Sequence, residues 1–337
     1  MTSPPSLQTT PTSEEDVAYN NMCKEHNHLM ETLPKGHGWR VQYIYNYKGF
    51  WLNPNTIKSN LLLHTYFKSH TTDIFLATFP KAGTTWLKSL MFSTLNRHHH
   101  AFSDHPLHHH GPQSAFPILD VESYPITDFT TNFSDVPRLF NTHFPYTLLP
   151  ACMDACKFVY VCRDPKDVLI SKWHFVSKLR SKDLPPLTLD KAIELFQQGV
   201  SEYGPFWEHV LSYWRASLES PDKILFLKYE ELKKQPEVEV KKLAAFMGKP
   251  FTMEEEKKGV VGEIVKLCSF KNLSNLEVNK TGVDKFANVA VIETKNFFRK
   301  GEIGDWKNYL SEEMKERIDR ITDEKLQGSG LTLTTRV

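Results

Sequence analysis

Three short apolar runs set the first constraint on the fold: 73–78 (DIFLAT), 158–162 (FVYVC) and 224–227 (ILFL). Each reads as a buried strand, and each precedes a stretch with helix signals. That alternation predicts an α/β fold, a parallel β-sheet flanked by helices. The helix signals are local and specific. Asp164 followed by Pro165 supplies an N-cap and a proline at the first helical position. Thr252 and Glu255 have the spacing of a capping box. Trp207, Leu211, Trp214 and Leu218 recur at helical spacing and read as a core-facing stripe. The run 244–247 ends at Gly248 and Pro250, a plausible stop.

The chain has 337 residues, 40% hydrophobic and 24% charged, enough to bury a real core. No long linker or repeat divides it, so residues 21–337 read as one domain behind a disordered tail, 1–20, rich in Ser, Thr and Pro. A net charge of +1 gives no global field toward nucleic acid or an anionic membrane, so neither is expected as a partner. Any anion must be held by local sites. Five scattered cysteines argue against a disulfide framework and for a reducing compartment. No apolar run is long enough to span a bilayer, and the N-terminus has no secretory core, so a cytoplasmic location is expected. Cys152 and Cys156 lack a second pair to complete a zinc site. The seven histidines between 98 and 110 read as a polar loop between helices rather than a metal centre, and no metal requirement is expected.

The most informative stretch is Thr78 to Lys88, TFPKAGTTWLK, which follows a strand and opens a helix. Gly83 permits close backbone approach to a ligand. Free N–H groups at the helix start, the dipole's positive end, the hydroxyls of Thr84 and Thr85, and the charge of Lys81 can together cradle a phosphate or phosphosulfate. The loop is not a Walker A motif, because Lys81 precedes Gly83 and no glycine stands upstream. No Gly-x-Gly-x-x-Gly occurs, which disfavours a dinucleotide oxidoreductase. Two more basic positions follow. Arg163 ends a strand, and Ser171 lies on the next helix, so fork and hydroxyl can converge on one phosphate. Near the C-terminus, Arg299, Lys300 and Gly301 offer two charges and a backbone N–H.

The segment PKAGTTW, with Ala82 and Trp86 inside it, resembles the 5′-phosphosulfate loop of cytosolic sulfotransferases, and the later segments agree in order and spacing. The resemblance covers nearly all of the chain after the tail. ETLPKGHGW at 31–39 and SNLEVNKTG at 274–282 are most similar to the plant branch. It implies a P-loop-like sulfotransferase fold and 3′-phosphoadenosine 5′-phosphosulfate as co-substrate. It assigns Arg163 and Ser171 to the 3′-phosphate, with the segment RKG-x-x-GDW closing over that group. Trp86 becomes a stacking face for adenine and Tyr229 an edge contact, with Cys268, Ser269 and Phe270 bordering the nucleotide.

The same resemblance makes His143, in NTHFP, the catalytic base. The chemistry needs one, since an acceptor hydroxyl is a poor nucleophile until its proton leaves. Many members carry Lys two residues before the base; here that residue is Asn141, which puts more electrostatic load on Lys81. The dimer motif of animal members would fall at 307–316, where Ser311 and Glu312 break it, so the oligomeric state stays open. Phe50, Trp51, Phe144, Tyr146, Trp173 and Phe175 are candidates to line a pocket for a small hydroxylated acceptor such as a flavonol, steroid hormone or hydroxyjasmonate. Two other functions compete: a P-loop small-molecule kinase, and a catalytically silent nucleotide-binding homologue.

Overall fold

The computed structural model describes residues 13–120, 137–286 and 290–333. Helix α1 (Ser13–Thr32) opens inside the stretch expected as tail, whose residues 1–12 lie outside the described residues. Side-chain packing holds the overlap, where Lys58 donates to the Tyr19 hydroxyl at 2.9 Å. Strands β1 (Lys35–His37), β2 (Tyr43–Tyr47) and β3 (Phe50–Leu52) form an antiparallel meander. Helix α2 (Pro54–Tyr66) follows, then β4 (Ile74–Thr78) and α3 (Thr84–Leu95). The histidine-rich segment holds a 3₁₀ turn, Phe102–Asp104, and one helical turn, α4 (Leu107–His110). It is less polar than its composition: His105 is buried and accepts from the Leu107 N–H, while His98 lies 3.3 Å from Glu255. Among the described residues no group of three or more His, Cys, Asp or Glu is arranged to hold a metal.

β5 (Leu139–Thr142), β6 (Lys157–Cys162) and β7 (Ile224–Lys228) join β4 in a parallel sheet of order β5-β4-β6-β7. All five residues of β4 are buried. Its alternate side chains enter two separate cores, Phe75 and Ala77 on one face, Ile74 and Leu76 on the other. On the first face Phe140, Phe75 and Phe158 stack across three strands with centroids 5.3 and 5.0 Å apart. Helices α5 (Pro165–Leu179), α6 (Leu189–Gln197) and α7 (Phe206–Glu219) cover this face.

The capping signals act as their spacing predicts. Asp164 accepts from the Lys166 N–H at 2.8 Å with Pro165 at the first position of α5. Thr252 and Glu255 form a reciprocal capping box. The tryptophan stripe holds for Trp207, Leu211 and Trp214, with Trp207 donating to Thr322 at 3.0 Å. It fails at Leu218, which is 61% exposed while Ala216 and Ser217 of the same turn take the buried positions.

β4 is held at its entry by a buried ion pair. Arg138 reaches both oxygens of Asp73, at 2.8 and 2.7 Å, and the His70 N–H adds a third bond at 2.7 Å. Removing one partner leaves the other buried and uncompensated. Asp73→Ala is expected to lower unfolding free energy by about 3–5 kcal/mol, read from the denaturant midpoint.

Candidate active site

The register aligns Ala77 with Thr142 and Thr78 with Val161, so β4, β5 and β6 end together. β4 has one later strand on each side, which makes its carboxyl end the switch point where α/β sheets bind ligands. Residues after all three strand ends line one cavity of about 810 Å³. They include Lys81, Gly83, Thr84, Thr85 and Trp86 after β4, His143 after β5, and Arg163 and Ser171 after β6. Tyr229, Arg299, Lys300 and Gly301 complete that group, beside Cys268, Ser269 and Phe270. Ala82 differs: it is fully buried beneath the loop, its N–H used by the Phe79 carbonyl at 3.1 Å, and it does not line the cavity.

The loop turns sharply enough to place Lys81 at φ 75° and Gly83 at φ 128°. A Cβ at position 83 would lie 2.9 Å from the Tyr229 ring, so only glycine fits the turn and the packing together. Gly83 caps α3 without a side-chain hydrogen bond, and first-turn amides have no intrahelical partner. Thr78 and Thr84 share a hydroxyl–hydroxyl bond of 2.7 Å, and Gln113 holds the Thr85 hydroxyl at 2.8 Å. The Lys81 ammonium sits 3.8 Å from the centroid of the Phe175 ring. Burial, then Arg299, Arg163 and Lys178, bring its pKa down to about 7. A negative group beside it would restore the charge.

Arg163 lies 4.4 Å over the Tyr229 ring and 3.2 Å from Asp167, and donates to the Glu302 carbonyl. Arg299 and Lys300 both bind Asp305. Burial opposes ionisation of Asp305, but the bonds from Lys300 and Arg299 hold it at about 2. Both Arg163 and Arg299 keep a buried Nε without a partner. Two cationic side chains that line one cavity with free helix amides, each with an orphaned donor, fit an anionic ligand with two charged ends. Gly301, at φ 65°, packs where a Cβ would lie 2.5 Å from Phe270, and its carbonyl accepts from the Tyr229 hydroxyl at 3.2 Å. Tyr229 meets Trp86 edge-on at 5.5 Å.

His143 Nδ1 lies 2.7 Å from the Thr78 carbonyl. A carbonyl only accepts, so Nδ1 carries the proton and the lone pair rests on Nε2. Burial lowers the imidazole to about 4, opposed by the Thr78 bond and reinforced by Lys172, Lys88 and Lys81. The ring is therefore neutral in the ligand-free protein at neutral pH. Its backbone is fixed from both sides: Asp120 accepts from its N–H at 2.6 Å, and His209 Nε2 donates to its carbonyl at 2.9 Å. Asp120 also accepts from Thr142 at 2.6 Å, and burial pushes its carboxyl up to about 7 against bonds from Thr142, His143 and Tyr203. The Tyr203 ring packs edge-on to His143 at 5.4 Å.

Asp120, Thr78 and Tyr203 escaped the sequence reading. Asp120 stands twenty-three residues before the His143 it orients, with no local pattern joining them. Asn141 lines the cavity but spends its amide on the Leu76 and Thr142 carbonyls, at 3.1 and 3.3 Å. Of the six aromatic candidates for an acceptor wall, only Phe175 lines the cavity. Phe50 and Phe144 are buried in the core, and Trp51, Tyr146 and Trp173 are not among the lining residues, because strand, turn and helix packing claims their rings first. Tyr43, Tyr45, Ile118, Val176 and Tyr203 stand there instead.

Known proteins share this sequence and fold. A family model described as a sulfotransferase domain matches residues 71–330. Cytosolic sulfotransferase 12 of Arabidopsis thaliana is 46% identical over 320 residues, covering 94% of this chain and 96% of the relative. The crystal structure of a putative steroid sulphotransferase from the same plant superposes with a TM-score of 0.72 at 39% identity, covering 98% of this chain and 100% of the other. Mouse sulfotransferase SULT7A1, complexed with PAP, shares the fold at a TM-score of 0.62 and 24% identity, over 85% and 95% of the two chains. Matched along almost its whole length, with its strand ends gathered on one anion-ready cavity, the chain belongs to the sulfotransferase family and is an enzyme of that class.

Proposed function

We propose that this enzyme moves the sulfuryl group of 3′-phosphoadenosine 5′-phosphosulfate onto a hydroxyl of a small organic acceptor, in the cytoplasm, with His143 as general base. The observation that carries the reading is the Nδ1 bond of His143 to the Thr78 carbonyl, which leaves Nε2 unprotonated in the cavity that Lys81 also lines. The two orphaned Nε donors, on Arg163 and Arg299, support a donor with an additional phosphate. The location rests on relatives named as cytosolic. Residues 21–337 act in this reading as one catalytic domain.

The donor supplies an activated sulfuryl group, whose bond to the 5′-phosphate oxygen breaks as the acceptor oxygen bonds to sulfur. Lys81, the amides that open α3, and the Thr84 and Thr85 hydroxyls hold the 5′ end. They stabilise the negative charge that collects on the leaving oxygen, and they are in place before it appears. Arg163, Ser171, Arg299, Lys300 and the Gly301 N–H hold the 3′-phosphate. Trp86 and Tyr229 frame the adenine. His143 Nε2 takes the acceptor proton, and the Thr78 carbonyl holds Nδ1–H so that the imidazolium is oriented and stabilised. Asp120 is a positioning residue, fixing the main chain that carries the base. The competing kinase reading has no observation in its favour. A silent homologue would need no tautomer-fixed base.

His143→Ala is expected to lower turnover by ~10²–10⁴ in steady-state kinetics, and retention within about tenfold removes it as the base. Asp120→Asn is expected to lower kcat about ten- to hundredfold while calorimetric affinity for adenosine 3′,5′-bisphosphate holds within about twofold. The pH profile follows from the two shifts. His143 must be neutral, and is so above about 4; Lys81 must be charged, and is so below about 7. The free-enzyme profile of kcat/KM should therefore fall at those two values. Bisphosphate affinity in the wild type should weaken above pH ~7 by up to about tenfold per unit, and Lys81→Met should flatten that slope.

A further inference from the structure

The wall of the cavity beside His143 carries a cation that the transfer chemistry does not use. Arg40 lines this wall with Tyr43, Tyr45, Thr56 and Tyr203. Its main chain is held on both sides: the N–H donates to Glu202 Oε1 at 3.1 Å, and the carbonyl accepts from the Ser181 N–H at 3.1 Å. The neighbouring Trp39 N–H donates to the same Glu202 oxygen at 3.1 Å, and its carbonyl receives Arg180. The Arg40 guanidinium springs from this fixed backbone, and among the described residues it makes no hydrogen bond or ion pair of its own.

Glu202, the carboxylate on which the Arg40 charge acts, is already occupied. Lys172 lies 3.4 Å from the Glu202 carboxylate and donates to the Glu202 carbonyl at 2.6 Å. Glu202 also receives the two backbone N–H groups. With Glu202 taken by Lys172, Arg40 is left without a carboxylate partner beside the apolar surface of Tyr43, Tyr45, Ile118 and Val176. Asp120, the other carboxyl here, is turned to Thr142, the His143 N–H and Tyr203. The Arg40 charge acts on the Tyr203 phenol as well as on Glu202, and the Tyr203 ring packs against the base. A guanidinium presents a planar fork that matches a carboxylate bidentately.

We infer that the acceptor is a hydroxy acid, bound with its carboxylate on Arg40 and its hydroxyl at His143, with an apolar body between Tyr43, Tyr45, Ile118 and Val176. The inference rests on the sulfuryl-transfer reading for its catalytic consequence, though binding alone can test it. A small panel serves: ω-hydroxyoctanoate, ω-hydroxydecanoate and ω-hydroxydodecanoate, each with its methyl ester. Wild type should favour at least one acid over its ester about ten- to hundredfold in kcat/KM, the weight of one charge-assisted pair. In Arg40→Gln that acid-to-ester ratio should collapse toward one, whatever the absolute rate on the ester, and Arg40→Lys should restore part of it. Equal use of acid and ester by wild type, or an unchanged ratio in Arg40→Gln, overturns the proposal. Calorimetry of the same acids with adenosine 3′,5′-bisphosphate present separates the two readings. Acid binding lost in Arg40→Gln without turnover of any acceptor keeps the Arg40 site and sinks sulfuryl transfer. Turnover of neutral phenols with no binding of any acid does the reverse.

Discussion

Everything at the active site depends on the in-register parallel pairing of β4 with both β5 and β6. Had either neighbour slipped by one residue, its alternating side chains would have exchanged faces, putting Phe140 or Phe158 on the wrong side of the sheet. The aromatic stack through Phe75 guards against that slip, since its rings must lie on one face. The packing that stabilises the sheet therefore also fixes where three strand ends stop. One hydrogen bond then joins two of those ends, from His143 after β5 to the last residue of β4.

The cationic side of the cavity is assembled against its own electrostatics. Lys81, Arg163 and Arg299 repel one another in a partly desolvated space, and the fold offsets this with specific acceptors. Asp305 neutralises Arg299 and Lys300, Asp167 faces Arg163, and the Phe175 ring face receives Lys81. These partners keep the cations in place without consuming every donor. Burial first, and then Arg299, Arg163 and Lys178, lower the pKa of Lys81, since lysine can shed its proton. The lysine of the loop after β4 is thus sensitive to an arriving anion.

Much of this was legible in the sequence, for identifiable reasons. The strand at 73–78, the turn through Gly83, the Asp164–Pro165 cap and the basic pair at 299–300 are local signals, set by neighbouring residues. The histidine at 143 was legible only in company with those motifs. Asp120 and Tyr203 were not, because their meaning arises from contacts across twenty-three and sixty residues. The acceptor wall misled for a related reason. An aromatic side chain reads the same whether it faces a ligand or the core, and here Phe50 and Phe144 went to the core. Leu218 shows the complementary failure: it keeps the helical spacing of the stripe, but Ala216 and Ser217 face the packed layer in its place.

Asp167 has a double attachment. One carboxylate faces Arg163 and also accepts the backbone N–H groups of Gly304 and Trp306, at 2.8 and 3.3 Å. The C-terminal segment at Gly304–Trp306 and the cavity-lining guanidinium of Arg163 are thereby tied to a single side chain on α5. Thermodynamic reciprocity then applies: whatever free energy an arriving anion contributes to ordering that segment, the ordered segment returns as affinity. Substitutions elsewhere in that segment, remote from the cavity, would inherit a share of any anion's residence time.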